Sequence, residues 1–341
     1  MKKIIYILLV VLMTASCEKV IEFKGEKTAP MLVVNSIIAA DSTITMEVTE
    51  SRFFLSDDNS MKHIENADIK LIVNGKYKEK LMKLSPAGTY GSAYKVSAGD
   101  EIKIEASTPG LPAVTATTKL PIKPIVLNVD TVSTTIISYQ MEKSSLEQLE
   151  EDTVGEYRLK NIKFKMKFKD NGDEKNYYRL IVKKRTYYEK MNQLSGFWDD
   201  RGYHEEQITH FEDIVFENSN QVGDWESIFE DDEKTYFYDT FSDDLINGQE
   251  YELKFSDEIV QNHFYYDKNR KAHNPEKTVY LIYLQELSTD YYLYIRSSVS
   301  AERVAENPFV EPVQIRSNVE NGIGILGSYT SSAPYVVEFK H

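Results

Sequence analysis

The residues of this chain that could do chemistry fall into four sets: one cysteine, six histidines, a glycine triplet near the C-terminus, and an acidic segment rich in aromatics. Cys17 is the only thiol. It follows Lys2, Lys3, the apolar run from Ile4 to Met13, and the small residues Thr14, Ala15 and Ser16, which is the order of a secretory signal. The run is too short to span a bilayer comfortably as a mature helix. A cysteine directly after small residues reads as a bacterial lipobox. The signal, residues 1–16, is cut before Cys17, and the thiol is acylated (as by palmitate) at the new N-terminus. A leucine is usual where Thr14 stands, so the alternative is an ordinary signal peptide with an incidental cysteine. No second cysteine remains to form a disulfide, and no thiol is left to act as a nucleophile or metal ligand.

The histidines are His63, His204, His210, His263, His273 and His341. His204 and His210 are six apart, which on a strand puts them on one face, but they lack the i, i+4 spacing of a zinc-protease helix. A surface role is expected for them, and no metal. Gly322, Gly324 and Gly327 match the dinucleotide fingerprint literally, yet no strand–helix–strand unit surrounds them. They read as a turn and a glycine-pocked strand where another segment can approach closely. No nucleophile elbow and no phosphate loop occurs. The expectation is a non-enzymatic protein without a cofactor.

The acidic set is the sharpest local feature. Between Glu189 and Lys234 there are fourteen Asp or Glu against Lys190, Arg201 and Lys234, and both tryptophans lie there. Phe197, Trp198, Tyr203, Trp225, Asp231 and Asp232 are the candidate binding surface, with rigid aromatics for contact area and carboxylates to select a cationic or metal-bearing partner. The plainer reading is a solvated insertion that its aromatics pack onto the domain. A calcium site is the third reading, but no Asp-x-Asp-x-Asp-Gly loop organises Asp231, Asp232 and Glu233.

The whole chain bounds these readings. Its 341 residues, 41% hydrophobic and 28% charged, suit a soluble globular body with room for two cores. The net charge of −14 becomes more negative when Lys2 and Lys3 leave with the signal. Such a surface repels nucleic acid and anionic headgroups, so neither is expected as a partner. The acyl chains on Cys17 are the expected membrane attachment.

The elements that must position these residues are mostly strands. From Met31 to Pro121, short alternating runs predict strands at Met31–Ile38, Ser42–Thr49, Ala67–Val73, Tyr77–Leu84, Tyr90–Val96, Glu101–Ser107 and Ala113–Leu120. Asn74-Gly75 between two of them is a hairpin signal, because both turn positions need positive φ. Seven strands with tight turns predict an N-terminal β-sandwich over 31–121, immunoglobulin-like or transthyretin-like, after a tether over 17–30. Pro121, Pro124 and the polar stretch Asp130–Thr135 predict a linker over 122–160. Within it, Glu142–Gly155 reads as a flexible excursion or short surface helix.

A second β-rich domain with one surface helix is expected over 161–341. Ile162–Phe168 alternates apolar residues with lysines, like an edge strand with a solvent face. Asn176–Tyr188 is expected to be its hairpin partner across the Asp170–Asp173 turn. Tyr236–Phe241, Gln249–Phe255 and Lys277–Glu286 predict further strands. A helix should start from an N-cap at Ser288, with Asp290 in its first turn, and end near Asn307 before Pro308.

Four stretches carry a family resemblance: Cys17–Glu22; Leu32–Ser36 with Ala67–Leu71; Phe241–Gly248; and Leu287–Tyr292 running on through Asn307–Phe309 to Ser317–Val319 and Gly322–Gly324. Through them the chain resembles the Bacteroidetes surface lipoproteins known as domain of unknown function 4249. The resemblance implies an outer-membrane lipoprotein, surface-exposed, encoded beside a TonB-dependent transporter. It carries over no functional residues. Two functions follow as expectations. One is an accessory or ligand-binding partner of a TonB-dependent nutrient transporter, with an unidentified nutrient as ligand. The other is a structural or adhesive surface protein.

Overall fold

The structure, a computed structural model, describes residues 28–53, 60–84, 86–142, 152–188, 203–208, 211, 213–216, 239–260, 265–266, 272–273, 275–305 and 310–340. Met31–Ser51 and Ser60–His341 cluster as one compact unit.

The chain begins with β1 (Leu32–Ala39), β2 (Thr43–Glu50), β3 (Lys62–His63), β4 (Asp68–Val73), β5 (Lys76–Lys80), β6 (Met82–Lys83), β7 (Thr89–Lys95), β8 (Glu101–Ser107) and β9 (Val114–Lys119). Two long strands follow, β10 (Ile125–Glu142) and β11 (Asp152–Lys169). Next come β12 (Tyr177–Tyr188), β13 (Tyr203–Ile208), β14 (Thr240–Ser242) and β15 (Glu250–Val260). The short β16 (Tyr265–Tyr266) and β17 (Ala272–His273) pair with each other. Then β18 (Pro275–Leu287) leads into the helix α1 (Thr289–Ala305), and β19 (Val319–Glu320), β20 (Ile323–Ser331) and β21 (Tyr335–Lys340) complete the order. The protein is mainly β, as its alternating patterns predict.

One sheet of eleven strands is the spine. Its order is β13-β12-β18-β20-β1-β2-β7-β6, with β14 on β12, β21 on β18 and β3 on β2. The spine therefore takes strands from both 31–121 and 161–341. Along one stretch it packs against a five-stranded sheet, β19-β9-β8-β4-β5. Alternate residues of the paired strands fill that sandwich: Ile44, Met46 and Val48 from β2, Ile69 and Leu71 from β4, Ile102 and Ile104 from β8, and Leu326 from β20. Each is nearly fully buried, worth about 1.5–3 kcal/mol apiece relative to exposure. The Asn74-Gly75 hairpin forms between β4 and β5, with φ of 52° and 72° at the two turn residues. The predicted strand Tyr77–Leu84 divides at buried Leu81, so that β5 joins the five-stranded sheet and β6 the spine.

A second core lies between the other stretch of the spine and a three-stranded sheet, β10-β11-β15. Phe164 stacks on Phe255 at 4.8 Å and meets Tyr280 edge-on at 4.9 Å, while Phe168 packs edge-on against Tyr178 and Phe241. Three expectations are corrected here. Residues 122–160 are not a linker: Ile125–Glu142 and Asp152–Lys169 form a long antiparallel hairpin. From the excursion expected over Glu142–Gly155, residues 143–151 lie outside the described residues and 152–155 belong to β11. The lysine-bearing strand β11 is the centre of its sheet and not an edge, because β10 and β15 flank it. Nor does β12 pair with β11. The Asp170–Asp173 turn carries the chain across to the spine, where β12 pairs with β18, β13 and β14.

The glycine triplet sits where β20 runs parallel to β1, the first strand pairing with one of the last. A Cβ on Gly322 would lie 2.6 Å from the Leu32 carbonyl oxygen, and one on Gly324, at φ 120°, only 2.0 Å from that of Val34. The close approach read from the sequence is thus backbone on backbone. α1 lies against β20 and β12 on the face turned away from the second core, with Tyr292 stacked on Tyr177 at 4.3 Å. Its start follows the expected cap, the Tyr291 N–H donating to the Ser288 hydroxyl at 3.4 Å.

Candidate functional site

Of the acidic segment, which follows β12 in the chain, the structure describes β13 together with Phe211 and residues 213–216. On β12, Tyr178, Leu180 and Val182 turn into the second core. Lys183, Arg185 and Tyr187, of the opposite parity, therefore occupy the opposite face. Register places Arg185 beside Glu205 and Tyr187 beside Tyr203 on β13, and Tyr187 beside Lys277 on β18.

The result is a ladder of alternating charges and rings. Arg185 Nε donates to Glu205 Oε2 at 2.6 Å, and its guanidinium lies 4.7 Å from the centre of the Tyr203 ring. The Tyr203 and Tyr187 rings are 5.1 Å apart. The Lys277 ammonium is 5.2 Å from the Tyr187 ring and 2.9 Å from Glu338 Oε2. The Arg185 hydrogen bond holds the Glu205 carboxyl below the usual carboxylate range, against the opposing pull of burial. A cation over a ring face is attracted by the ring's quadrupole, by about 0.5–1 kcal/mol at exposed sites. Its charged groups are paired with one another, Arg185 with Glu205 and Lys277 with Glu338.

Tyr203, one of the sequence-predicted residues, is buried in this ladder. Phe197, Trp198, Trp225, Asp231 and Asp232 lie outside the described residues, as does Cys17. The returning part of the segment is anchored in the second core by Phe211, Val215 and Phe216. Asp213 fixes it, accepting from the Tyr251 hydroxyl at 2.6 Å and from the Lys254 N–H at 2.7 Å. Sequence reasoning missed Arg185, Tyr187, Glu205 and Lys277. The alternating residues Lys183, Arg185 and Tyr187 at the end of β12 were the signal available. Among the described residues no three His, Cys, Asp or Glu side chains are placed to hold a metal.

A second polar group closes one end of the second core. Asn176 Nδ2 donates to Glu286 Oε1 at 2.9 Å, and the Asn176 N–H donates to Asp243 Oδ2 at 2.9 Å. Asp170 accepts from the Tyr178 hydroxyl and from the Gly248 N–H, both at 2.6 Å. Lys175 is ion-paired to Asp243 at 2.6 Å and also to Asp244. Burial pushes the Glu286 carboxyl up to about 7; the Asn176 hydrogen bond opposes the rise, and the charges of Glu174, Asp170 and Asp243 add to it. Two stretches that carry the family resemblance, Phe241–Gly248 and Leu287–Tyr292, meet here at the start of β12.

The family description, domain of unknown function DUF4249, matches residues 18–333. The chain belongs to that family. No curated protein matches it significantly. Among solved structures, a protein described as membrane anchored from Corynebacterium diphtheriae is similar at 9% identity, with a TM-score of 0.20. The match covers 76% of this chain and 55% of that one, so the chain spans about half the length of the protein it resembles. Among the described residues, no helix of this family member is long and apolar enough to cross a membrane.

Proposed function

We propose that this chain is a non-enzymatic lipoprotein of the outer membrane, anchored at the cell surface through Cys17, that serves a TonB-dependent nutrient transporter as an accessory or ligand-binding partner. The observation that supports the anchor is Cys17 directly after the small residues Thr14, Ala15 and Ser16, with the family match beginning at Glu18; the transporter role rests on the family resemblance. The contact surface in this reading is formed by the partly exposed ladder residues Arg185, Tyr187 and Lys277 together with Phe197, Trp198, Trp225, Asp231 and Asp232 of the acidic segment. Cationic and aromatic groups beside a strongly acidic segment suit a polar ligand or a barrel's loops better than a lipid surface.

The test is gentle detergent extraction followed by pull-down through a C-terminal tag. A near-stoichiometric barrel in the eluate is expected, and Trp198→Ala with Trp225→Ala should reduce it several-fold. Elution of the lipoprotein alone, folded and surface-exposed, would refute the accessory role. It would favour the second reading, a structural or adhesive surface protein, to which the single spine sheet shared by two cores lends support as a stiff spacer.

A further inference from the structure

Edge strands offer unpaired N–H and C=O groups to any other strand, and proteins protect them by shortness or by charge. Nearly every sheet edge among the described residues is protected in this way. The spine ends at β13, which carries Glu205 and Glu206, and at the two-residue β6. The five-stranded sheet ends at two-residue β19 and at lysine-rich β5. In the three-stranded sheet the outer strand β15 carries Glu250, Glu252, Lys254, Asp257 and Glu258.

The other edge of that sheet breaks the pattern. β10 is 18 residues long, and from Ile125 to Ile137 its only charged residue is Asp130. From Thr131 to Ile137 its apolar side chains are open to solvent, Val132 at 59% and Ile136 and Ile137 at 50% each. β11 is its only strand partner among the described residues, and the pairing of β11 with β15 reaches only as far as Leu159, opposite Ile136.

We propose that β10 pairs antiparallel with β10 of a second copy of this chain, about a twofold axis at Thr134, joining two three-stranded sheets into one. The strand is complementary to itself in that register. Val132 falls opposite the partner's Ile136, Thr131 opposite the partner's Ile137, and Ser133 opposite the partner's Thr135. Asp130 falls opposite the partner's Ser138, whereas an axis at Asp130 would set two carboxylates face to face. Apolar and β-branched cross-strand pairs favour such contacts, and like charges directly opposite oppose them. With so little charge of its own, the edge does not select a charged foreign strand. The chain's net charge of −14 repels a second copy at a distance, so the contact strengthens as salt screens that repulsion. The inference does not depend on the transporter reading.

Sedimentation velocity of the full mature chain in detergent, over a concentration series and at two ionic strengths, tests it. A dimer that tightens with salt is expected. Val132→Glu, beside the exposed Lys163 of its own sheet, should weaken the dimer about ten-fold or more by placing a carboxylate against an apolar side chain. Ile136→Lys should do the same. The double variant V132E/I136K should recover most of the loss, because each introduced carboxylate then faces an introduced ammonium across the axis. Circular dichroism should show the variants folded, both sites being solvent-exposed. A chain that stays monomeric at every concentration overturns the proposal. So does a dimer unmoved by Val132→Glu, or a double variant no better than the single ones.

Discussion

Replacing Gly324 by alanine should test the backbone contact that joins the first strand to one of the last. Two penalties follow from the geometry. At φ 120° an L residue is strained, which costs about 1–3 kcal/mol. The new Cβ would also lie 2.0 Å from the Val34 carbonyl oxygen, and reaching an ordinary contact of about 3.5 Å requires β1 and β20 to part by about 1.5 Å. Crowding of that kind in a packed interior costs about 1–3 kcal/mol more. A loss of about 2–6 kcal/mol is a large share of a typical stability of about 5–15 kcal/mol, and in a chain of this size it lowers Tm by about 3–8 °C. Gly75→Ala is the control. Its φ is also positive, at 72°, but no atom lies within 4 Å of the added methyl, so it should lose only about 1 kcal/mol. Urea unfolding followed by far-UV circular dichroism reads both. If Gly324→Ala falls within about 1 kcal/mol of Gly75→Ala, steric closure at the β1–β20 seam is refuted.

Three further outcomes follow from the packing and the polar sites. Glu286 has its folded pKa raised to about 7 from an ordinary 4.5, so the folded state binds more protons than the unfolded state between those values. Stability on this account is greatest below pH 4.5 and falls by about 3 kcal/mol as pH rises through 7; Glu286→Gln should flatten that decline in pH-dependent melts and be the more stable chain at pH 8. Phe164→Ala should remove about 3–5 kcal/mol, read by urea unfolding, because the ring is fully buried between Phe255 and Tyr280. Arg185→Ala should raise the Glu205 pKa toward the usual carboxylate range in an NMR titration, while the half-exposed pair contributes no more than about 1 kcal/mol to unfolding.

The strands of residues 31–121 were legible because each buries one face only, which writes alternation into the sequence, and because residues such as Asn74 and Gly75 mark the turns. The hairpin of β10 and β11 was illegible for the same physical reason. Thr131 to Ile137 is rich in β-formers but exposed on both faces, so nothing forces alternation, and the stretch reads as a polar linker. The pairing of β12 was misread because sequence proximity favours a hairpin, whereas the second core needed β12 in the facing sheet. At the candidate surface Tyr203 could be chosen by residue type, but Arg185 and Lys277 reach it through pairings between distant strands. Glu286 was open to discovery: it shares the parity of the buried Ile282 and Leu284, which places a carboxylate on the core face.

The parallel seam between β1 and β20 also governs how the molecule can be made. Residue 33 finds its neighbour at residue 323, so the middle of the spine stays open until nearly the whole chain has emerged. Contacts this distant in sequence make for slow folding and leave strand edges bare in the interval. A ribosome or a translocation channel would therefore hold this chain incomplete to the last strands, and loss of the segment after Val319 should leave β1 without one of its two neighbours and Leu326 missing from the first core.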